Sequence, residues 1–527
     1  MMDLMIHHIK LAMGIRDLLN IKNLQVRSGQ KIGIIGRNGC GKSTLLKILV
    51  NQQRADIANF SLSGMIRLLP QLKETNDHRS GGEVSQDYLV NILNQSPKIL
   101  LLDEPTTNLD ASHVEWVEKQ LKNYHGSLLL VSHDRKLLDE VVDTIWELKD
   151  GKIEEYTGNY SDYLIQKEIQ QKHHQKEYDK YKRHKRELEQ ALDYKNRQAA
   201  QSIKKPKQLS NSEARMKGAK PYFAKLQKGL HQNAKAIEKR LERLEEVEKP
   251  EEEIPIKMSL PNTRSFINQI IIRAQNIKGE VPGKTLWNKT TFHLKGGDKV
   301  GIIGPNGSGK TTFIKQVLAN DKISLKVSPS VKIGYFAQNL KNLDENKSIL
   351  ENVKEGSIQS ETLIRTVLAR LGFLGTDVNK QIHVLSGGER VKVSLAKIFV
   401  SDCNTLILDE PTNFLDLYAM EALEKLLQNY DGTILFVSHD RQFISSIATK
   451  ILVIENQKMI LYDGTYKEFK KHSEAEERDT DAEKLMTIEL AITTILSKLS
   501  DPLLPEEDKK KFDKKYQELL KKKKQLE

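Results

Sequence analysis

The sequence predicts an α/β protein: two P-loop domains in tandem, joined by a long antiparallel α-helical hairpin and followed by a short helical extension. Three observations predict it. A series of glycine-rich, acidic and histidine motifs occurs twice in the same order. Each glycine loop stands between an apolar strand pattern and a helix pattern, and a lysine-rich, nearly glycine-free helical stretch separates the two copies. The expected boundaries are a first domain over 1–160, a linker over 161–252 with its tip near 205–222, a second domain over 253–473 and an extension over 474–527.

Bulk properties bound the class. At 527 residues the chain is too long for one core. With 38% hydrophobic and 29% charged residues it suits a soluble globular protein with some long exposed helices. "SLLLVS" and "TILFVS" are of buried-strand length, well short of the roughly 20 residues of a membrane span. "MMDLMIHHIK" lacks the basic start and apolar run of a secretory signal. Cys40 and Cys403 cannot make a disulfide framework. The expectation is a cytoplasmic protein with no membrane domain.

Each repeated element has its justification. "GRNGCGKS" (Gly36–Ser43) returns as "GPNGSGKT" (Gly304–Thr311), each after a "KIGIIG"-like strand. This is G-x-x-x-x-G-K-[ST], whose glycines turn backbone N–H groups toward phosphates at a helix N-terminus. Gly36, Arg37, Asn38, Gly39, Cys40, Gly41, Lys42, Ser43 and Thr44 are therefore expected to bind nucleotide, as are Gly304, Pro305, Asn306, Gly307, Ser308, Gly309, Lys310, Thr311 and Thr312. Lys42 and Lys310 would reach the β- and γ-phosphates, and Ser43 and Thr311 would ligate Mg²⁺. "LLLDEP" and "LILDEP" end apolar strands in two carboxylates. Asp103 and Asp409 suit an outer contact to Mg²⁺, and Glu104 and Glu410 suit the general base that polarises the attacking water. His133 and His439 follow strands in "LLLVSH" and "ILFVSH", placed for a γ-phosphate. Gln71 in "LLPQL" and Gln338 in "YFAQNL" are expected water or metal contacts.

The spacings agree. Asp103 to His133 is 30 residues, as is Asp409 to His439. Lys42 to Ser80 is 38 residues but Lys310 to Ser386 is 76, so a sub-structure is reduced in the first copy.

In this order the motifs, with "RSGGE" at Arg79–Glu83 and "LSGGER" at Leu385–Arg390, resemble those of ATP-binding cassette proteins. The resemblance implies two cassettes facing head to tail, with ATP between the glycine loop of one and the "SGGE" signature of the other. Lys42, Ser43, Gln71, Asp103, Glu104 and His133 would share a site with Ser386, Gly387 and Gly388. Lys310, Thr311, Gln338, Asp409, Glu410 and His439 would share the other with Ser80, Gly81 and Gly82. Both sites keep the glutamate and histidine, so both are expected to hydrolyse ATP. Two departures from the family stand out: Arg79 where the second copy has Leu385, and no clear aromatic near Met13 or Val281, where the family often stacks one on adenine.

Charge then singles out the linker. Of the net charge of +12, residues Lys172–Arg240 carry 20 Lys/Arg against 7 Asp/Glu, a net of +13, so the rest of the chain sums to −1. A polyanionic partner is implied. Tyr178, Tyr181, Leu188 and Leu192 in one arm, and Phe223, Leu226, Leu230, Ala234, Ile237, Leu241, Leu244 and Val247 in the other, are spaced to pack as a hairpin.

Two cassettes, such a link and no membrane domain resemble the F subfamily of ATP-binding cassette proteins, over essentially the whole chain. The tip text "KPKQLSNSEARMKGAKPYF" looks most like its Vga-type antibiotic-resistance members. That implies a monomer binding the 70S ribosome at the tRNA exit site, its hairpin directed at P-site tRNA and 23S rRNA. It also implies displacement of lincosamides, streptogramin A and pleuromutilins. Lys204, Lys205, Lys207, Ser210, Asn211, Ser212, Arg215, Met216, Lys217 and Lys220 are the expected RNA-contacting residues. Tyr222 and Phe223 suit base stacking or closure of the hairpin equally. A housekeeping translation factor of the same subfamily and the ATPase subunit of a drug exporter are the alternatives.

Overall fold

The computed structural model describes residues 2–14, 16–71, 81–107, 109–201, 219–248, 268–320, 324–337, 342–413 and 415–473, with short pieces at 491–493, 495, 514–517 and 519. In the first half β1 (Met2–Met13) and β2 (Arg16–Arg27) make a long antiparallel hairpin. The glycine loop links β3 (Lys31–Ile35) to α1 (Lys42–Leu49). There follow β4 (Ile57–Leu62), β5 (Ile66–Leu69), α2 (Gly81–Asn94), β6 (Ile99–Asp103), α3 (Ala111–Lys122), β7 (Ser127–Val131), α4 (Arg135–Val141), β8 (Thr144–Lys149) and β9 (Lys152–Thr157). A three-stranded sheet has the order β2-β1-β4, and a six-stranded one β5-β6-β7-β3-β8-β9. The pairs β5/β6, β6/β7, β7/β3 and β3/β8 are parallel. β6 ("ILLLD") and β7 ("SLLLV") are buried at every position. A parallel sheet covered on both faces requires such unbroken apolar runs.

A separate compact unit spans Tyr156–Pro255. Its α5 (Tyr160–Gln201) runs 42 residues, about 60 Å at about 1.5 Å per residue. The half-buried stripe of α5 includes His174, Tyr178, Tyr181, Lys185, Leu188 and Leu192. α6 (Ala219–Glu242) packs back along it, with Leu230, Ala234, Ile237 and Leu241 inward. The apolar spacing continues to Val247, but the helix stops at Glu242. Glu245, Glu246 and Glu248 would oppose the negative C-terminal end of a longer helix. α6 already begins at Ala219, so Lys220 belongs to its first turn rather than to the connection. Pro221 is tolerated in that turn because its missing N–H has no intrahelical partner there.

The second half repeats the first: β10 (Ile270–Val281), β11 (Lys284–Lys295), β12 (Lys299–Ile303), α7 (Lys310–Ala319), β13 (Leu325–Val327), β14 (Ile333–Phe336), α8 (Ile349–Lys354), α9 (Glu361–Arg370), α10 (Gly387–Val400), β15 (Thr405–Asp409), α11 (Leu417–Gln428), β16 (Thr433–Val437), α12 (Arg441–Ile447), β17 (Lys450–Glu455) and β18 (Lys458–Asp463). Its sheets are β11-β10-β13 and β14-β15-β16-β12-β17-β18, matching the first half strand for strand. The unequal spacing now has a cause. Fifty residues (337–386) separate β14 from α10 and carry α8 and α9, whereas 11 (70–80) separate β5 from α2, too few for both helices. In each half the core lies between the antiparallel sheet, the helix after the glycine loop and the parallel sheet. Ile6, Leu46 and Trp146 mark the first core, and Ile272, Phe313 and Leu452 the second.

Of the expected C-terminal extension, residues 491–493, 495, 514–517 and 519 are helical, and the rest lies outside the described residues.

Candidate nucleotide sites

Each glycine loop is held in a shape only glycine allows at its key positions. Gly36 has φ 153° and Gly304 φ 154°, and a Cβ on either would collide with a backbone carbonyl, of Leu148 or of Ile454. Gly41 and Gly309 (φ 107° and 104°) start α1 and α7 in left-handed conformation. Lys42 and Lys310 are buried, and their ammonium groups are held by loop carbonyls. Lys42 Nζ donates to Gly36 O (2.8 Å) and Arg37 O (3.2 Å), and Lys310 Nζ to Gly304 O (2.9 Å) and Pro305 O (3.0 Å). Beside each lysine, Ser43 Oγ donates to Asp103 Oδ1 (3.0 Å) and Thr311 Oγ1 to Asp409 Oδ1 (3.4 Å). A hydroxyl and a carboxylate so placed are hard oxygen donors of the kind Mg²⁺ takes, so the residues fit the ion. Burial raises the pKa of both Asp103 and Asp409.

The carboxylate after each strand is strained. Glu104 and Glu410 both have φ 52°, a region non-glycine residues rarely occupy and one that clusters at active sites. Their backbone amides bond across to Val131 O and Val437 O. This turn aims each carboxyl at a histidine: His133 Nε2 lies 3.3 Å from Glu104 Oε1, and His439 Nε2 3.4 Å from Glu410 Oε1. Burial lifts Glu104 to about 8 and Glu410 to about 7, against the pull of Lys42 and Lys310. Burial also pushes His133 down to about 3 and His439 to about 4. Each pair thus sets a neutral imidazole beside a carboxyl that titrates near neutrality, which suits a general base.

The halves also exchange contacts that sequence reasoning missed. Asp416 caps α11 and reaches the opposite glycine loop, where Asn38 N donates to its Oδ2 (3.0 Å). Asp110 caps α3 and accepts from Asn306 N at 3.5 Å. Arg135 Nη1 donates to Glu424 Oε2 (2.9 Å), and its counterpart Arg441 lies 3.3 Å from Glu115 and 3.7 Å from Glu118. Tyr418 OH donates to Glu147. The clue lies in the repeats "NLD"/"FLD" and "SHDR", whose Asp and Arg stand at matching positions in the two halves. A cavity of 620 Å³ is lined by Lys310, Thr311, Glu410 and His439 of one half with Glu104 and His133 of the other. That volume suits a ligand of nucleotide size.

Other expected residues are less gathered. Ser386 caps α10 through a reciprocal box with Glu389, and Ser386 and Gly387 are exposed, with Gly388 half-buried. Gly81 and Gly82 open α2, while Ser80 lies outside the described residues. Gln71 is exposed after β5, and Gln338 lies outside the described residues. So do Lys204, Lys205, Lys207, Ser210, Asn211, Ser212, Arg215, Met216 and Lys217.

The doubled glycine loop, the strained Asp–Glu turn and the facing histidine define a tandem ATP-binding cassette ATPase. A family model described as ABC transporter matches residues 19–67 and 287–413, and another of the same description matches 146–259. The chain is similar to the erythromycin resistance ATP-binding protein MsrA of Staphylococcus epidermidis, 35% identical, covering 82% of this chain and 93% of that one. It is similar also to the ribosome protection protein VmlR of Bacillus subtilis (strain 168), 34% identical, covering 96% of this chain and 95% of that one. Among solved structures, "RNase-L Inhibitor" shares the fold, with a TM-score of 0.57 and 17% identity over 87% of this chain and 90% of that one. The chain belongs to the ABC-F family of ATP-binding cassette proteins, and it hydrolyses ATP. Among the described residues no helix is long and apolar enough to cross a membrane.

Proposed function

We propose that this ATPase acts in the cytoplasm on the 70S ribosome, binding at the tRNA exit site and protecting it from antibiotics. The observation that carries the reading is a placement of charge. The whole chain's excess of positive charge lies in one helical hairpin between two ATP sites, in a relative of MsrA and VmlR. Lysine and arginine along two narrow helices neutralise phosphates and fit an RNA groove better than a folded domain does. The connection between α5 and α6, from Lys204 to Lys217, and Lys220 at the start of α6 would meet P-site tRNA and 23S rRNA. There the protein would displace lincosamides, streptogramin A and pleuromutilins.

In the ATP sites the glycine-loop amides and Lys42 or Lys310 bind the phosphates, and Ser386–Gly388 or Ser80–Gly82 close each site from the opposite cassette. Glu104 and Glu410 take the proton of the attacking water, with His133 and His439 orienting the carboxyl. Ser43 with Asp103, and Thr311 with Asp409, would hold Mg²⁺, which when bound would supply neutralisation of the phosphate charge, and Gln71 and Gln338 are proposed as further water or metal contacts. ATP closes the cassettes and hydrolysis releases them.

A cell-free translation extract with lincomycin or tiamulin, with and without the protein, tests the reading. Recovery of translation on adding protein and ATP is expected. Recovery from neither drug, with ATP turnover intact, rejects drug displacement and favours a housekeeping translation factor.

A further inference from the structure

The two ATP sites are gripped differently across the cassette boundary. Asp416 is a hub. Its Oδ1 accepts from Ala419 N (2.9 Å) to start α11, and its Oδ2 accepts both Asn38 N (3.0 Å) and Lys392 Nζ (3.0 Å). Lys392 comes from α10, six residues after Ser386, and both charged groups are buried. A buried carboxylate is tolerated when an ammonium pairs with it, and the pair then fixes its geometry. On the other side the counterparts differ in kind. Asp110 Oδ1 meets His113, through its N–H (3.1 Å) and Nδ1 (2.5 Å), and Oδ2 reaches Asn306 N only at 3.5 Å. Where α10 has Lys392, α2 has Gln86, six residues after Ser80 and uncharged. Where α3 has His113, α11 has Ala419.

We propose that Lys392 is a positioning residue for the site built on Lys42 and Glu104. It locks Asp416 onto the Asn38 amide, tying the signature helix of one cassette to the glycine loop of the other, a tie Gln86 does not reproduce as a charge for the Lys310 site. The turnover of the Lys42 site therefore depends on Lys392. The inference rests on reading Lys42 and Lys310 as ATP sites. Lys392 and Asp416 also act with opposite signs on the field at His133, where burial and Lys42 dominate, placing the pair within electrostatic reach of that site's chemistry.

The test uses the full chain. Hydrogen exchange of peptides covering Asn38 and Asn306 is compared in the parent protein and in Lys392→Met. Steady-state ATP turnover is measured in Glu410→Gln and Glu104→Gln backgrounds, each leaving one site competent. Lys392→Met is expected to speed exchange at Asn38 and not at Asn306. In the Glu410→Gln background it should lower kcat roughly tenfold or more with KM for ATP little changed, since misplacement by about 1 Å costs up to about a hundredfold. Lys392→Arg should restore both readouts. If Lys392→Met does not fold, Asp416→Asn, which keeps the shape of the cap, should give the same selective exchange. Unchanged exchange at Asn38, or an equal fall of kcat in both backgrounds, overturns the proposal. Undiminished turnover in both parent Glu→Gln variants would instead overturn the ATP-site reading, and the exchange result would still decide the role of Lys392.

Discussion

The buried ion pair Arg135–Glu424 gives the most quantitative handle on how the cassettes hold together. Arg135 and Glu424 are 3% and 8% exposed and their charged atoms are 2.9 Å apart. At that distance and an effective dielectric of about 20, the attraction is about 6 kcal/mol. Desolvation opposes most of it. The pKa of Glu424 is raised, so burial outweighs the pull of Arg135 there. The intact pair is thus worth little net, but removing one partner takes the nearest counter-charge from the other buried group, a cost of about 3–5 kcal/mol. Glu424→Leu and Arg135→Met should each destabilise by that amount. The double variant should fall within about 1 kcal/mol of the parent, a coupling of about 5 kcal/mol or more. The assay is a double-mutant cycle from urea unfolding, followed by the fluorescence of the buried Trp146 and Trp287, one in each half. Glu115→Gln is the internal control. It removes a half-exposed partner of Arg441, 3.3 Å away, and should cost less than about 1 kcal/mol. Additive single effects, or a Glu424→Leu cost no larger than the control, would refute the reasoning.

Other predictions follow from the same geometry. With Glu104 at about 8 and Glu410 at about 7 in the free protein, kcat/KM should rise with pH across 7–8 as each base loses its proton. The limb should lie higher in Glu410→Gln than in Glu104→Gln, and no histidine limb should appear near 6.5, because His133 and His439 titrate far lower. Both carboxyls bind protons more tightly folded than unfolded, so their contribution to stability is present below about 4.5 and lost as pH rises through about 7–8; thermal melts over that range should show the decline. Gly304→Ala would drive a Cβ into the Ile454 carbonyl; a titration with a fluorescent ATP analogue should show at least about fivefold weaker binding at that site, for strain of about 1–3 kcal/mol. Replacing residues 202–218 by a short glycine–serine bridge should leave ATP turnover within about twofold of the parent and abolish drug tolerance in a sensitive host; full tolerance would reject a role for the tip.

What could be read in the sequence was whatever the repeat stated twice. "KIGIIG" and "KVGIIG" at the two glycine loops, the "LLLDEP" and "LILDEP" strand ends and the histidine 30 residues on are local patterns, and each lies where strand, loop and helix chemistry puts it. The left-handed backbone of Glu104 and Glu410 was not legible, because no residue type demands it and tertiary packing imposes it. Nor were Asp416 on Asn38, Lys392 on Asp416 or Arg135 on Glu424. Asp416 on Asn38 and Arg135 on Glu424 join halves 378 and 289 residues apart, Lys392 on Asp416 joins two helices of one half, and periodicity carries no information about which surface meets which. The end of α6 at Glu242 was missed for a related reason, since apolar spacing runs through a region where charge stops the helix.

On the proposed function, ATP drives this protein onto ribosomes and hydrolysis lets it go. The most direct measurement is sedimentation of the Glu104→Gln/Glu410→Gln variant through a sucrose cushion with purified 70S ribosomes, with and without ATP. ATP-dependent co-sedimentation and arrest of translation are expected. A variant that binds ATP yet stays in the supernatant would contradict it.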